Sequence, residues 1–433
     1  MRSLILMAAL FGCAGAQAKQ VVLDVRVGTP VMEAGKKSTA FVKVGLTGNE
    51  VRKGDRVPVN VALVLDKSGS MSGEKLRKAK EAAMMAVERL GPDDIVSVVA
   101  YDTTVRVIVP ATKAADKQSI LDGIARLTPS GNTALFAGVS KGADELRKFL
   151  DPNKVNRLVL LSDGLANVGP STPGDLASLG GTLSRMGITV TTLGLGLDYN
   201  EDLMQGLARA ADGNHMFIEQ ANDLVRFFDL EFGEVLSVVA QDVDVRMHCD
   251  EGVRPIRVLG READIVGNDI SAQLNQVVAR QEKFVMIEVE VPAGEAGDER
   301  TLCEAQVSYR DLETKTVEKQ AASARVRFVA SAAEAGRHVD RDVMVRAVEL
   351  VSNEQNRLAV KLRDQGQADE ARRILQGNAD WLNMNSAFYN APALKKLEDQ
   401  NRSDADNLDE NSWKRQRKVM RRVQHQYEIQ QSY

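Results

Sequence analysis

Five oxygen-bearing side chains stand at three separated points of the sequence, each where an apolar run meets a turn or the start of a helix. The run 59–65 (VNVALVL) leads straight into Asp66-Lys67-Ser68-Gly69-Ser70-Met71, whose D-x-S-x-S spacing puts one carboxylate and two hydroxyls on a tight turn. Gly131-Asn132-Thr133-Ala134-Leu135 opens a later helical segment with a threonine, and Leu161-Ser162-Asp163-Gly164 ends another apolar run with an aspartate. Asp66, Ser68, Ser70, Thr133 and Asp163 therefore make a candidate ligand set composed of oxygen alone. Such a set suits a hard divalent cation, magnesium first, with manganese or calcium as alternatives. Two carboxylates neutralise the ion. Three neutral hydroxyls leave it electron-poor enough to accept one more anionic oxygen from outside. No imidazole or thiolate lies in these segments, which argues against zinc or copper. Asp66, Ser68 and Ser70 could instead cap the helix that follows, but a cap leaves Thr133 and Asp163 without a reason.

For three distant loops to meet, the intervening chain must bring them to one edge. Residues 57–234 alternate short apolar runs (59–65, 95–101, 157–161, 188–195) with amphipathic stretches. In one of these, residues 73–90, the positions Leu76, Ala79, Ala83, Ala86, Val87 and Leu90 recur at helical spacing. The uninterrupted apolar runs are those of strands buried on both faces. Strand-helix alternation of this kind predicts an α/β domain, a doubly wound parallel sheet that binds ligands at the carboxyl ends of its strands.

The flanks read differently. Residues 19–56 hold strand-like segments at 21–27 and 39–46, too few to bury a core alone. Strand-like segments return across 235–331. The economical arrangement is one β-sandwich assembled from both flanks, with the α/β domain inserted into it. From residue 332 to 433 the pattern turns helical, with helices expected at 340–363, 368–382 and 411–430. The first two form a hairpin resembling a single tetratricopeptide unit, and the last carries Lys414, Arg415, Arg417, Lys418, Arg421 and Arg422. A run of cations like this is ordinarily a solvated face. An acidic partner or a membrane surface is the alternative.

The motif and its context resemble the metal-ion-dependent adhesion site of von Willebrand factor type A domains: D-x-S-x-S after one apolar strand, a distant Thr, and a distant Asp in L-L-S-D-G after another. All five positions are filled, and the resemblance covers about 175 residues. It implies a Rossmann-like fold in which Ser68, Ser70 and Thr133 contact the metal directly, while Asp66 and Asp163 bind it directly or through water. The flanking arrangement is similar to that of exported bacterial proteins loosely named after calcium-activated chloride channels, and of inter-α-trypsin inhibitor heavy chains. The channel name carries no functional weight here, because no stretch beyond the leader approaches the ~20 apolar residues of a membrane span.

Composition bounds the rest. The 433 residues are 44% hydrophobic and 27% charged with a formal net charge of -4, which fits a globular chain and gives no sign of nucleic-acid binding. Residues 1–18 read as a signal peptide with cleavage after Ala18, while Leu10-Phe11-Gly12-Cys13 resembles a lipobox that would lipidate Cys13. Either route places the protein in the periplasm, the cell envelope or the cell surface. The two cysteines of the folded body, Cys249 and Cys303, could be a disulfide or two buried thiols.

Enzymatic readings lack their parts. Residues 69–75 (GSMSGEK) have no G-K-[ST] at phosphate-loop spacing, and no G-x-S-x-G elbow surrounds Ser68 or Ser70. His215, His248, His338 and His425 are scattered, and Asp102 either tunes the site or caps a loop. The expected function is binding: a protein partner presents an acidic residue to the bound ion. The alternative is a structural scaffold of an envelope assembly with a stabilising metal.

Overall fold

The computed structural model describes residues 19–50 and 56–430, so the leader and Cys13 lie outside the described residues. The first strands, β1 (Val21–Val27), β2 (Val31–Glu33) and β3 (Ser38–Gly48), find partners only far along the chain. The inserted domain follows: β4 (Val59–Asp66), α1 (Glu74–Arg89), β5 (Ile95–Tyr101), β6 (Val105–Lys113), α2 (Lys117–Ala125), α3 (Leu135–Arg147), β7 (Val155–Ser162), α4 (Pro173–Ser184), β8 (Ile188–Leu195), α5 (Glu201–Ala210), β9 (His215–Ile218) and α6 (Leu224–Val235).

Its six strands lie in the order β6-β5-β4-β7-β8-β9, all neighbours parallel except the antiparallel edge pair β5–β6. The alternation within β4 shows why its sequence is apolar throughout. Val59, Val61, Leu63 and Leu65 face a core shared with α1, α2 and α6. Ala62 and Val64 face one shared with α3, α4 and α5. A strand covered by helices on both faces has no solvent side on which to place polar residues. The outer strand β6 carries Pro110, which an edge tolerates because its missing N–H costs no ladder bond.

After α6 the chain re-enters the sandwich with β10 (Val238–Cys249), β11 (Arg254–Leu259), β12 (Asp264–Val266), β13 (Asp269–Val278), β14 (Glu282–Val291), β15 (Glu299–Asp311) and β16 (Val317–Val329). One sheet has the order β1-β3-β14-β11, the other β12-β13-β10-β15-β16-β2. Strand β3 thus lies inside a sheet between β1 and β14, with Val44 opposite Val285 and Val42 opposite Ile287. The split sandwich is a single core, and the α/β domain is inserted between its halves.

Helices complete the chain: α7 (Ala332–Ala335), α8 (Arg341–Asp364), α9 (Ala368–Tyr389), α10 (Pro392–Asp406) and α11 (Glu410–Ile429). The sequence reading expected three of the four long ones. It missed α10 because the buried face of that helix includes Glu398, Asn401 and Asp404, so apolar periodicity is weak there. These groups join a polar core in which Asn378 Nδ2 donates to Asn401 Oδ1 at 2.9 Å and Asn356 Nδ2 to Asp404 Oδ2 at 3.0 Å. Among the described residues no helix is long and apolar enough to cross a membrane.

Candidate metal-binding site

The carboxyl ends of β4 and β7 are adjacent because the two strands pair in parallel. Asp66 ends β4 and Asp163 directly follows β7, so topology alone brings the two carboxylates to one edge. Both are fully buried. Thr133 reaches the same place through α3, which lies tight on the sheet. A Cβ at Gly138 would stand 2.8 Å from the Tyr101 ring, and one at Gly142 would stand 2.5 Å from Val64. Backbone bonds then tie the loops together: Gly69 N donates to Gly131 O at 3.0 Å, Ser130 N to Lys67 O at 2.8 Å and Asn167 N to Thr133 O at 3.2 Å.

The side chains form one connected set. Ser68 N donates to Asp66 Oδ1 at 2.8 Å, and Ser162 Oγ donates to Asp66 Oδ2 at 2.7 Å. The Ser68 and Ser70 hydroxyls are 3.0 Å apart, and Ser70 Oγ donates to Asp163 Oδ1 at 2.7 Å. Burial pushes the Asp66 carboxyl up to about 6, against the bonds from Ser68 and Ser162 that favour its charged form. Gly164 keeps the hollow open, since a Cβ there would stand 3.2 Å from Thr133 Oγ1 and 3.3 Å from Ser70 Oγ. All five residues singled out in the sequence therefore meet at one point. Among the described residues no group of three or more His, Cys, Asp or Glu is placed to hold a metal ion; a cation at this point would be held by two carboxylates together with hydroxyls. That donor set fits a hard ion that keeps part of its water shell.

Several neighbours carry no motif signal. The Lys75 ammonium, in the first turn of α1, pairs with Asp163 Oδ2. Asn167 Oδ1 accepts from Thr133 N at 2.9 Å and fixes the threonine loop. Asp102 is spent on loop geometry rather than on the ligand set. It accepts from Lys67 Nζ, from Ser130 Oγ at 2.6 Å and from Thr104 N at 2.7 Å. Burial alone would raise its carboxyl, but these donors outweigh burial and hold it well below the usual range. None of the four histidines lines the site. His215 and His425 are buried, and His248 pairs at the surface with Asp269.

The largest difference from expectation concerns α11. Only Lys414 and Arg415 stand on a solvated face, while Arg417, Lys418, Arg421 and Arg422 turn toward the protein. Lys414 pairs with Asp198, Arg415 with Glu219, and Arg417 with Glu201, Asp202 and Asp364, while Lys418 reaches Glu201 and the Tyr199 carbonyl at 2.7 Å. The helix is docked on the acidic start of α5, beside the candidate site. Between them opens a cleft of about 700 Å³ lined by Ser70, Thr133, Gly164, Leu165, Trp413 and Lys414 among others.

A doubly wound sheet with an all-oxygen site at its carboxyl edge defines a class, and comparison with known proteins assigns the domain to it. Residues 60–229 match the family model of the von Willebrand factor type A domain, and the chain carries a domain of that family. A Synechocystis protein, sll0103, is 33% identical over 183 residues, which are 42% of this chain and 43% of that protein. Human inter-alpha-trypsin inhibitor heavy chain H2 is 28% identical over 167 residues, 37% of this chain and 18% of the relative. The chain thus spans less than half the length of these curated relatives. Among solved structures, a von Willebrand factor type A protein from Catenulispora acidiphila superposes with a TM-score of 0.70 at 19% identity, covering 90% of this chain and 91% of that one. The shared fold therefore extends through the sandwich and the helices. Domains of this family are in general interaction modules rather than enzymes.

Proposed function

We propose that this is an exported binding protein that holds an acidic residue of a partner protein through a divalent cation, magnesium first, bound by Asp66, Ser68, Ser70, Thr133 and Asp163. The observation that carries the reading is the meeting of these five side chains on three loops at one buried point that opens into a cleft. The cation would supply a positive centre with an open coordination position. The protein's part is to fix the ligand oxygens in advance, so that little order is lost when a partner carboxylate arrives. The cleft beside Thr133 gives that carboxylate an approach, and its walls, Leu165 and Trp413 on one hand and Lys414 on the other, suit a short segment with an acidic tip. Export rests on the leader read in residues 1–18, and lipidation of Cys13 would add a membrane anchor.

The test is calorimetry of the full chain with magnesium and with manganese, beside a pull-down from envelope extract with and without chelator. One saturable site that Asp66→Ala/Asp163→Ala abolishes, together with capture that chelator reverses while the fold persists, is the expected result. Undiminished metal binding in the double variant would remove the site assignment. Loss of capture only together with unfolding would favour the alternative, a scaffold stabilised by its metal.

A further inference from the structure

Two thiols that the candidate site does not use face each other across the larger sheet of the sandwich. Cys249 ends β10, Cys303 lies in β15, and the antiparallel register sets them directly opposite. Asp250 N donates to Leu302 O at 2.9 Å. That bond joins the residue after one cysteine to the residue before the other, so the cysteines form a non-hydrogen-bonded pair. At such positions opposed Cα atoms approach to ~4.5 Å, where side chains are closest, and a disulfide spans ~4.4–6.8 Å. The two sulfurs are 2.7 Å apart, nearer than the ~3.5–4.0 Å at which non-bonded carbon atoms rest, and sulfur is the larger atom. Both side chains are fully buried, packed in the core that Val245, Met247, Ala305 and Val307 share with the opposite sheet.

We infer that Cys249 and Cys303 form an intramolecular disulfide that is made while the chain folds and is then sealed inside the sandwich. Burial dictates the order of events. A thiolate must meet an external disulfide in line with its sulfur-sulfur bond, and in the folded protein neither cysteine is open to one. The chemistry balances with a small-molecule disulfide such as oxidised glutathione as oxidant. The first protein thiolate displaces one glutathione thiolate and leaves a mixed disulfide. The second protein thiolate displaces the other. The two protons lost by the protein thiols are taken up by the two displaced glutathione thiolates, two electrons pass to the oxidant, and two glutathione thiols result. The cross-link joins the strand by which the chain returns from the inserted domain to a strand 54 positions later. The closed segment contains β14, the partner of β3. Shortening the unfolded excursions of that segment favours the docking of the N-terminal strands onto it.

The experiment uses the full-length chain, denatured and reduced, then refolded either with oxidised glutathione or with a phosphine reductant. Free thiols are alkylated after unfolding and located by peptide mapping, which separates Cys13 from the pair. The expected result after oxidative refolding is a peptide linked through Cys249 and Cys303, with a thermal midpoint several degrees above that of the reduced protein. The folded oxidised protein should resist the reductant, and the folded reduced protein should resist oxidation. In Cys303→Ser the difference in midpoint between the two conditions should vanish. Alkylation of both cysteines after oxidative refolding, capture of glutathione on each, or linkage through Cys13 would overturn the assignment. Equal cross-linking of the already folded protein would overturn the sealing.

Discussion

Lys75 already places a positive charge where a cation would bind, because its ammonium pairs with Asp163 Oδ2. An ion entering the ligand set must compete with that contact, so Lys75→Met should tighten magnesium or manganese binding several-fold, read by calorimetry. Unchanged or weaker affinity would show that the lysine does not oppose the ion. Gly164 gives the complementary test. Valine there would press on Thr133 Oγ1 and Ser70 Oγ, and Gly164→Val should lose metal binding while the far-UV spectrum is retained. Thr133→Ala removes one neutral oxygen at a loop without opening a core cavity. Its stability should stay within about 1 kcal/mol of wild type, while metal affinity, and with it partner capture, falls at least tenfold. A variant that binds metal and partner normally would count against metal-bridged recognition.

At the scale of elements, α11 joins the helical region to the inserted domain, and Arg417 is its most heavily used cation. Arg417→Ala would leave Glu201, Asp202 and Asp364 without a shared partner in a half-buried place. Glu201 keeps Lys418 and Asp202 keeps Arg421, so the loss should fall below the ~3 kcal/mol of a fully buried pair, and amide exchange should show α11 losing protection before the sheet does. Equal protection in both would mean that Val419 and its neighbours hold the helix without the arginine. The same helix also carries a pH dependence. His425 Nε2 donates to Gly213 O at 2.9 Å, and burial pushes the imidazole down to about 4, against the Gly213 bond. An unfolded histidine titrates near ~6.5. Between these values the unfolded chain binds the proton and the native chain does not, so stability present above about pH 6.5 is lost as pH falls toward 4. The loss approaches about 3 kcal/mol. The Asp404 carboxyl, raised by burial to about 6, acts in the opposite sense across part of that window, so the effect must be isolated by a variant. His425→Gln can still donate to Gly213, and its melting temperature should fall less between pH 7 and pH 5 than that of wild type. Parallel falls in both proteins would remove His425 as the cause.

For the molecule as a whole, the consequence of insertion is that the sandwich depends on chain from both sides of the α/β domain. Strand β3 is an interior strand of its sheet, so removal of residues 19–50 would leave β14 with β11 as its only neighbour and take Val42, Val44 and Leu46 out of the core around Val285, Ile287 and Val289. That truncation should aggregate or unfold well below the full chain. The isolated piece 57–234 should fold, since both faces of its sheet are covered by its own helices. It should be less stable than in the whole protein, because Val238, Val278 and Leu312 complete the core on one of those faces. Cooperative melting of the truncated chain at the full-length temperature would contradict this dependence.

Much of this was legible in one dimension because its causes are local. An apolar run without alternation has no stable place except a strand covered on both sides, and residues 59–65 announce such a strand. The D-x-S-x-S turn follows that strand directly, so the site's position at the sheet edge followed from the strand. The edge strands β6 and β9 gave weaker signals, one half exposed and broken by Pro110, the other only four residues long. Helix α10 stayed hidden because its buried face satisfies itself through amide and carboxylate hydrogen bonds, which leave no hydrophobic period to read. The cations of α11 could be counted in the sequence, but their partners could not. Whether a lysine meets water, a membrane or Glu201 depends on which surface lies opposite, and residues more than 200 positions apart are brought together only by the fold. The same limit applied to Cys249 and Cys303, whose separation along the chain carries no distance until two strands are in register. Sequence alone determined the kinds of element and the chemistry each could offer. Tertiary structure decided which of these met, because the energy of burying a charge or pairing two sulfurs depends on their separation in space.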